Sequence, residues 1–350
     1  MSNNSDCCQV IVDPRARIVY ASYYIQGIVD LFGAQKVCFR ISPFKLLVKK
    51  YDNLAFDEFF AFIIIRNGQR IKIVIDYKDN YTINYEIYDW CDVYGKVNLN
   101  PKYTDLLDYK KIINIGPGFG IRIMGNFATI LNAMSNFIKS YRYSDIEYYP
   151  FFYGYYWQTK RLPISDFTHS PTDGKYVFFV STLWNHDNCI RSTNILRAAF
   201  IEECKNAGLN FEGGLYARPS NREYNKYKHL VYSKFISFPS YISMTKKSSV
   251  VFNTPTVFNC HGWKLGEYFA LGKAIISTPL INKMPVDLEH GKNIHFIEDA
   301  SEMKDAIDKI LSDHKYRATL EEGALGYYNK YLSPEIVIKR ILQHPACNPW

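Results

Sequence analysis

No run of apolar residues in this chain approaches the roughly 20 that a membrane-spanning helix needs. The strongest run near a candidate span, Phe59 to Ile65 (FFAFIII), falls far short. Eight cysteines (7, 8, 38, 91, 189, 204, 260 and 347) are scattered, with no C-x-x-C pair and no Cys/His group at zinc spacing. That excludes a sequence-evident zinc site or redox pair and suits free, largely buried thiols in a reducing cytosol. Cys7 and Cys8 adjoin, and an incidental pair is a better account of them than a metal or redox site. Glycine (19) and proline (15) are too sparse for a collagenous or low-complexity chain. The opening MSNNSDCCQVIVDPR has no basic stretch followed by an apolar one, so no secretory leader is expected and a soluble, cytoplasmic protein is.

What the chain does have is size and apolar mass. Its 350 residues are 47% hydrophobic, including 29 Tyr, 23 Phe and 5 Trp. Such a length supports two domains, each able to bury a core without disulfides or metals. The 42 Lys and Arg outnumber the 34 Asp and Glu, for a net +8. These positives come as dispersed pairs such as Lys49-Lys50, Lys110-Lys111 and Lys246-Lys247, the pattern of a solvated surface. On charge alone the partner stays open, and with no concentrated basic stripe no nucleic acid is expected. Brief contact with an anionic inner-membrane face remains compatible with the charge and the aromatics.

Two blocks alternate strand and helix patterns. In the first, Arg17–Ala21 (RIVYA), Lys36–Ser42, Ile83–Trp90 and Lys111–Gly116 read as strands, and Ser22–Gly33 as a helix. Phe60–Arg66 and Arg70–Asp76 flank Asn67-Gly68, the strongest hairpin signal in the chain. Apolar residues at 127, 130, 131, 134 and 137 follow helical spacing. The aromatic stretch Tyr148–Gly174 has no clear period and reads as the crossing between domains, its rings packed in the seam. In the second block Lys175–Trp184 is a continuous apolar strand, as in a parallel sheet covered on both faces. Ser192–Gly208 is a helix, and five short strands follow: NFEGGLYA, SKFISFP, SSVVFNTP, KAIISTP and NIHFIED. Helical stretches lie between them at Tyr241–Lys247, Trp263–Leu271 and Ser301–Ser312. The tail from His314 is helical and is free to pack back on the first block. The fold class expected is α/β, with domains at 1–155 and 156–350.

Ligands of parallel α/β sheets sit at the carboxyl ends of strands, against helix N-termini. Ser249–Pro279 offers such a place: a strand, a polar loop, and a helix opening near Gly262. Lys264 and Glu267, three apart, share one face of that helix. Helix-start amides with the Lys264 ammonium would hold a diphosphate, and Glu267 could accept two hydrogen bonds from vicinal ribose hydroxyls. From spacing alone, an ordinary surface ion pair explains the two residues as well.

The same segment resembles the nucleotide-sugar signature of GT-B glycosyltransferases. Gly262, Lys264-Leu265, Glu267 and Ala270-Leu271-Gly272-Lys273-Ala274-Ile275-Ile276 stand in that signature's order, with Ser233–Pro239 fitting upstream and Pro285–Ile294 downstream. The basic-Leu pair is similar to exostosin-like and fucosyltransferase-like members, the remainder to group 1 glycosyltransferases. The resemblance implies a GT-B fold, two Rossmann-like doubly wound domains facing across a cleft. The second would bind a nucleoside-diphosphate sugar as donor substrate, and the first a saccharide or lipid-linked saccharide acceptor. It implies a hexosyl transfer in surface polysaccharide synthesis, with no cofactor and no obligatory metal. It also places a basic residue after the first strand of the second block, where Arg191 comes first and Arg197 next. Many retaining members carry a Glu where this chain has Asn259, which can hydrogen-bond a sugar hydroxyl but supplies no charge.

An inverting enzyme needs a general base. Asp92 is the candidate chosen, ahead of Asp89 and Asp76, and His261 is a second candidate for proton transfer, with His186 near it. The turn Gly116-Pro117-Gly118-Phe119-Gly120 lacks dinucleotide spacing; it is either structural or a place of close backbone approach. Two other classes share these features: a sugar-nucleotide epimerase with the same donor domain, and a non-catalytic basic binding module.

Overall fold

The computed structural model describes residues 8–47, 59–104, 110–143, 148–172 and 174–347. The chain divides into two compact units, Met1–Ile164 with Tyr331–Trp350, and Ser165–Lys330. The change of unit falls nine residues beyond the 155/156 boundary expected, and the last helix belongs with the first unit.

The first unit contains, in chain order, β1 (Cys8–Val12), α1 (Ile18–Phe32), β2 (Val37–Phe39), β3 (Phe59–Arg66), β4 (Gln69–Asp76), α2 (Tyr85–Trp90), β5 (Val93–Lys96), α3 (Pro101–Thr104), β6 (Ile112–Asn114), α4 (Asn126–Ser140) and α5 (Tyr148–Thr159). The sheet order is β2-β1-β3-β4-β5-β6, with β3 antiparallel to both its neighbours and the other pairings parallel. The hairpin stands where Asn67-Gly68 marked it. Both residues take positive φ (50° and 81°), the mirror-image turn that matches the twist of paired strands.

Two expectations for this block fail for one reason, since a short apolar run looks alike in a strand and in a buried helix, and a third fails separately. RIVYA is not a strand; it opens α1, and the first strand lies earlier at β1. Ile83–Trp90 is not a strand either. Asn84 caps it as helix α2, its side chain accepting from the Ile87 amide at 3.3 Å. The aromatic stretch does have regular structure: its first part is α5, packed on α1 and α4 within the first unit. The glycine-rich turn is structural, since a Cβ on Gly118 would come within 2.9 Å of the Tyr23 ring.

The second unit contains β7 (Tyr176–Thr182), α6 (Asn194–Asn206), β8 (Asn210–Tyr216), α7 (Tyr224–Tyr227), α8 (Phe238–Lys247), β9 (Val251–Asn253), α9 (Trp263–Ala270), β10 (Ile275–Ser277), β11 (His295–Phe296), α10 (Met303–Ser312) and α11 (His314–Tyr327). The last helix, α12 (Pro334–Leu342), packs on α1 in the first unit, where Tyr23 Oη donates to Leu332 O at 2.7 Å. SKFISFP is not a strand: Ser237 caps α8, with Pro239 in the first turn.

The pairings in this unit are parallel. β7 pairs with β8, and Leu215 of β8 bridges Val231. On the other side Ser249 N donates to Tyr176 O at 2.9 Å, and the Phe252 ring lies 6.1 Å from that of Phe179, which sets β9 beside β7 and running the same way. β9, β10 and β11 then follow in order. The ladders are β8-β7 and β9-β10-β11; with the single bridging residue Val231 taken as third and β9 set beside β7, the order along the chain is 3-2-1-4-5-6, the doubly wound arrangement. Phe179, Phe200 and Phe252 pack ring on ring in its core, with Val177, Ile276 and Ile307 around them. The α/β class expected is the one observed. Among the described residues no helix is long and apolar enough to cross a membrane.

Candidate functional site

In a sheet of this order the chain winds one way after its first strand and the other way after its fourth, so the loops at their carboxyl ends part from each other. Those strands are β7 and β9. The helices that follow them, α6 and α9, carry Arg197 and the pair Lys264/Glu267 respectively. The two cations arrive from different helices at the end of one strand. Arg197 Nη1 donates to Thr182 O at 2.8 Å, and Lys264 Nζ donates to Val180 O. The Lys264 ammonium also lies 5.3 Å from the Phe179 ring centre and 5.7 Å from that of Tyr241.

Burial dominates the electrostatics here. Desolvation pushes the Lys264 ammonium down to about 7, with the Arg197 charge adding to the shift and Glu267 opposing it. Arg197, only 5% exposed, is lowered to about 10 by the same cause and stays charged at neutral pH. Its Nε is buried and has no hydrogen-bond partner. Glu267 is 3% exposed and faces inward, where Tyr241 Oη donates to its Oε2 at 3.0 Å. Burial, then the Glu267 charge, raises the Tyr241 phenol well above its usual range, so it remains a donor. A fully charged Arg197 and a Lys264 about half charged at neutral pH stand against one carboxylate, and with one N–H unpartnered the site favours an added anion.

The mouth of α9 completes it. Gly262 occupies the N-cap position, and no side chain caps the first turn. Leu265 is wholly buried and serves packing. The loop leading in is strained: Phe258 and Asn259 both hold positive φ (55° and 60°), each a cost of ~1–3 kcal/mol in a non-glycine residue. Hydrogen bonds hold that loop in place. Asn188 Nδ2 donates to Thr256 O at 2.9 Å and to Asn259 Oδ1 at 3.3 Å, and Asn282 Nδ2 donates to Asn259 O at 3.0 Å. His186 bonds Asn188 in turn. His261 is buried, and desolvation lowers it to about 4, so the ring is neutral. Its Nε2 faces Lys283 O at 3.4 Å; a carbonyl only accepts, so Nε2 carries the proton.

The structure therefore brings Arg197, Lys264, Glu267 and Gly262 to one place, with Asn259 and His261 in the loop beside them. Arg191 is not among them. It is exposed in the turn before α6, and its charge acts on Asp187, which pairs with Arg222. Asp92 belongs to the other unit and precedes β5, at the amino end of a strand. Its Oδ2 accepts from the Lys72 amide at 2.7 Å. A carboxylate so placed serves the backbone, which removes the ground for choosing it as a base. Asp76 does end a strand, but it is buried against Lys96 at 2.9 Å and receives the Tyr94 hydroxyl. Among the described residues no group of three His, Cys, Asp or Glu could hold a metal. Sequence reading missed Tyr241 and Asn188, since their partners lie 26 and 71 residues away and no spacing signals such pairs.

No family model matches the chain, and no curated protein matches it. Solved structures do show a weak likeness. The C-terminal domain of a group 1 glycosyl transferase (LpcC) from Francisella tularensis is 16% identical over 48% of this chain and 97% of that domain, with a TM-score of 0.36. A glycosyltransferase from Rickettsia africae is 11% identical over 75% of this chain and 67% of its own, at 0.41. Anabaena HepE in complex with UDP is 12% identical over 72% and 70%, at 0.39. At such scores the likeness carries no weight for the reading that follows, which rests on the chain's own residues.

Proposed function

We propose that the protein is a glycosyltransferase, moving a hexosyl group from a nucleoside-diphosphate sugar to a saccharide or lipid-linked saccharide acceptor in surface polysaccharide synthesis. The observation that carries this reading is the meeting of Arg197, Lys264 and an inward Glu267 at the switch point of the second sheet, where charge balance lacks an anion. A diphosphate at the mouth of α9 supplies that charge. Arg197 Nε–H and the helix-start amides donate to its oxygens, and Lys264 regains its proton beside it. Glu267, oriented by Tyr241, accepts from the ribose hydroxyls.

When the bond from the anomeric carbon to the diphosphate breaks, negative charge grows on the leaving oxygen. Fixed positive groups already in place stabilise it without reorganising, which is usually the largest single contribution to lowering such a barrier. Side chains and amides fill that role in this reading, so no divalent ion is required. In this reading Asn259 would hydrogen-bond the sugar, and neutral His261 would position the loop that carries it. Peripheral contact with an anionic membrane face, from the cytoplasmic side, belongs to the same reading.

A panel of UDP-, GDP- and dTDP-sugars, with a CMP-sugar as the monophosphate control, tests it by thermal shift with and without EDTA. One diphosphate donor should raise the melting temperature in both buffers, and Lys264→Met should abolish the rise. No shift from any of them at millimolar concentration overturns the reading.

A further inference from the structure

Helix α4 is amphipathic the wrong way round for a protein surrounded by water. The stripe turned inward is polar or small: Thr129, Ala133, Asn136 and Ser140 are buried. Thr129 Oγ1 donates to Gln158 Oε1 at 3.2 Å, and Asn136 Nδ2 to Tyr155 Oη at 2.9 Å, both on α5. The stripe turned outward is apolar. Phe127 is 75% exposed, Ile130 60% and Ile138 64%, with Leu131 and Met134 between them. Neighbouring α5 adds exposed Tyr149, Tyr153, Tyr156 and Trp157. A surface helix ordinarily buries its apolar face, and exposed patches of this size mark a contact site.

Charge says what kind of contact. Residues 126–161 contain Lys139, Arg142, Lys160 and Arg161 against Asp145 and Glu147, a net +2; Lys139, Arg142 and Lys160 are exposed, and the two acids fall outside the described residues. The cations stand beside rings at the edges: Arg142 5.4 Å from the Tyr141 ring centre, and Lys160 5.0 Å from that of Tyr156. A second copy meeting this face across a two-fold axis would set like charges against each other. Anionic headgroups neutralise them, while tyrosine and tryptophan rings suit the boundary between headgroup and hydrocarbon.

We infer that the outer face of α4, with the rings of α5, is the surface by which this protein lies on an anionic bilayer. The inference rests on the proposed function only in placing the enzyme where a lipid-linked acceptor would be; the surface itself is read without reference to a sugar.

The test is co-sedimentation of the full chain with phosphatidylcholine vesicles, with and without about one quarter phosphatidylglycerol. Binding is expected to the anionic vesicles and to fall with salt. Ile130→Glu with Ile138→Glu should weaken it at least ~tenfold, since both side chains leave the hydrocarbon boundary. Lys139→Ala with Arg142→Ala should weaken it on anionic vesicles alone. Melting temperature and donor-induced shift should be unchanged in both variants, which separates failure here from failure of the catalytic reading. Absence of binding to either vesicle overturns the inference. So does a concentration-dependent dimer in light scattering that Ile130→Glu dissolves, because a second copy would then cover the face.

Discussion

Tyr241 Oη lies 3.0 Å from Glu267 Oε2, so a phenol on α8 fixes the orientation of the carboxylate on α9. The carboxylate is buried and also serves the Lys264 ammonium beside it. Glu267→Ala would therefore leave two enclosed cations uncompensated and confuse folding with binding. Glu267→Gln keeps the shape and weakens the acceptor. Donor affinity should fall about tenfold or more, given ~1.5–3 kcal/mol for a hydrogen bond to a charged group. Tyr241→Phe should cost less, since it loosens the carboxylate without removing it. Titration calorimetry with the donor found by the panel checks both; equal affinity in Glu267→Gln and wild type would remove the ribose contact.

Lys264 makes donor binding sensitive to pH. With the site empty, burial holds its ammonium at about 7. A bound diphosphate restores charge pairing and raises that value, so between the two values binding takes up a proton. About half a proton should be absorbed at pH 7 and nearly a full one a unit or two higher, with affinity falling up to about tenfold per pH unit in that range. Calorimetry in buffers of different ionisation enthalpy measures the uptake directly. Lys264→Met should bind weakly and without it. Between pH 7 and 8 a sugar nucleotide has no group of its own titrating, so absence of uptake there in the wild type would place Lys264 away from the phosphates.

Much of this site is legible in the sequence. Lys264 and Glu267 are local, three apart on one helix, and Gly262 stands where that helix opens, so periodicity alone places them together. The parallel, doubly wound character of the second unit follows from its short loops and continuous apolar runs. What is not legible is what depends on distant contacts. Arg191 and Arg197 are chemically alike and six apart; only the packing of α6 decides that Arg197 turns inward while Arg191 stays in water. Asp92 reads as a strand end because Ile83–Trp90 is apolar and β-rich. Asn84 caps that stretch as a helix instead, and the carboxylate falls at the opposite end of the next strand. The Tyr241–Glu267 bond joins two helices that no sequence pattern links.

The choice between the two arginines can be measured. Arg197→Met removes a charge and the unpartnered Nε, and leaves Thr182 O without its donor. Stability should drop by ~1–3 kcal/mol and donor affinity by at least tenfold. Arg197→Lys keeps the charge but not the fork of donors, so it should recover stability more than affinity. Arg191→Ala should change affinity by no more than about twofold, as expected of an exposed charge screened by water and salt. Fluorescence-monitored urea melts and donor titrations on the three variants decide it. A larger loss in Arg191→Ala than in Arg197→Met would reverse the assignment.

Acid should loosen the donor loop before it unfolds the chain, through His261. Its folded value of about 4 lies below the 6.5 of a free imidazole because burial disfavours the charged ring. The unfolded chain therefore binds a proton that the folded chain refuses, and stability is lost as pH falls from 6.5 towards 4. For a depression of about 2.5 units the loss approaches ~3 kcal/mol. His295, also lowered to about 4, first by burial and then by the neighbouring His290, adds a second proton to the same window. His261→Gln retains an N–H for Lys283 O and cannot titrate, so urea melts at pH 7 and pH 4.5 should differ by about one proton's worth less than in wild type. Because His261 ties the loop bearing Asn259 to residues 282–283, donor affinity should decline across this acid range in wild type and hold in the variant. An equal decline in both would mean the loop is held by Asn188 and Asn282 alone.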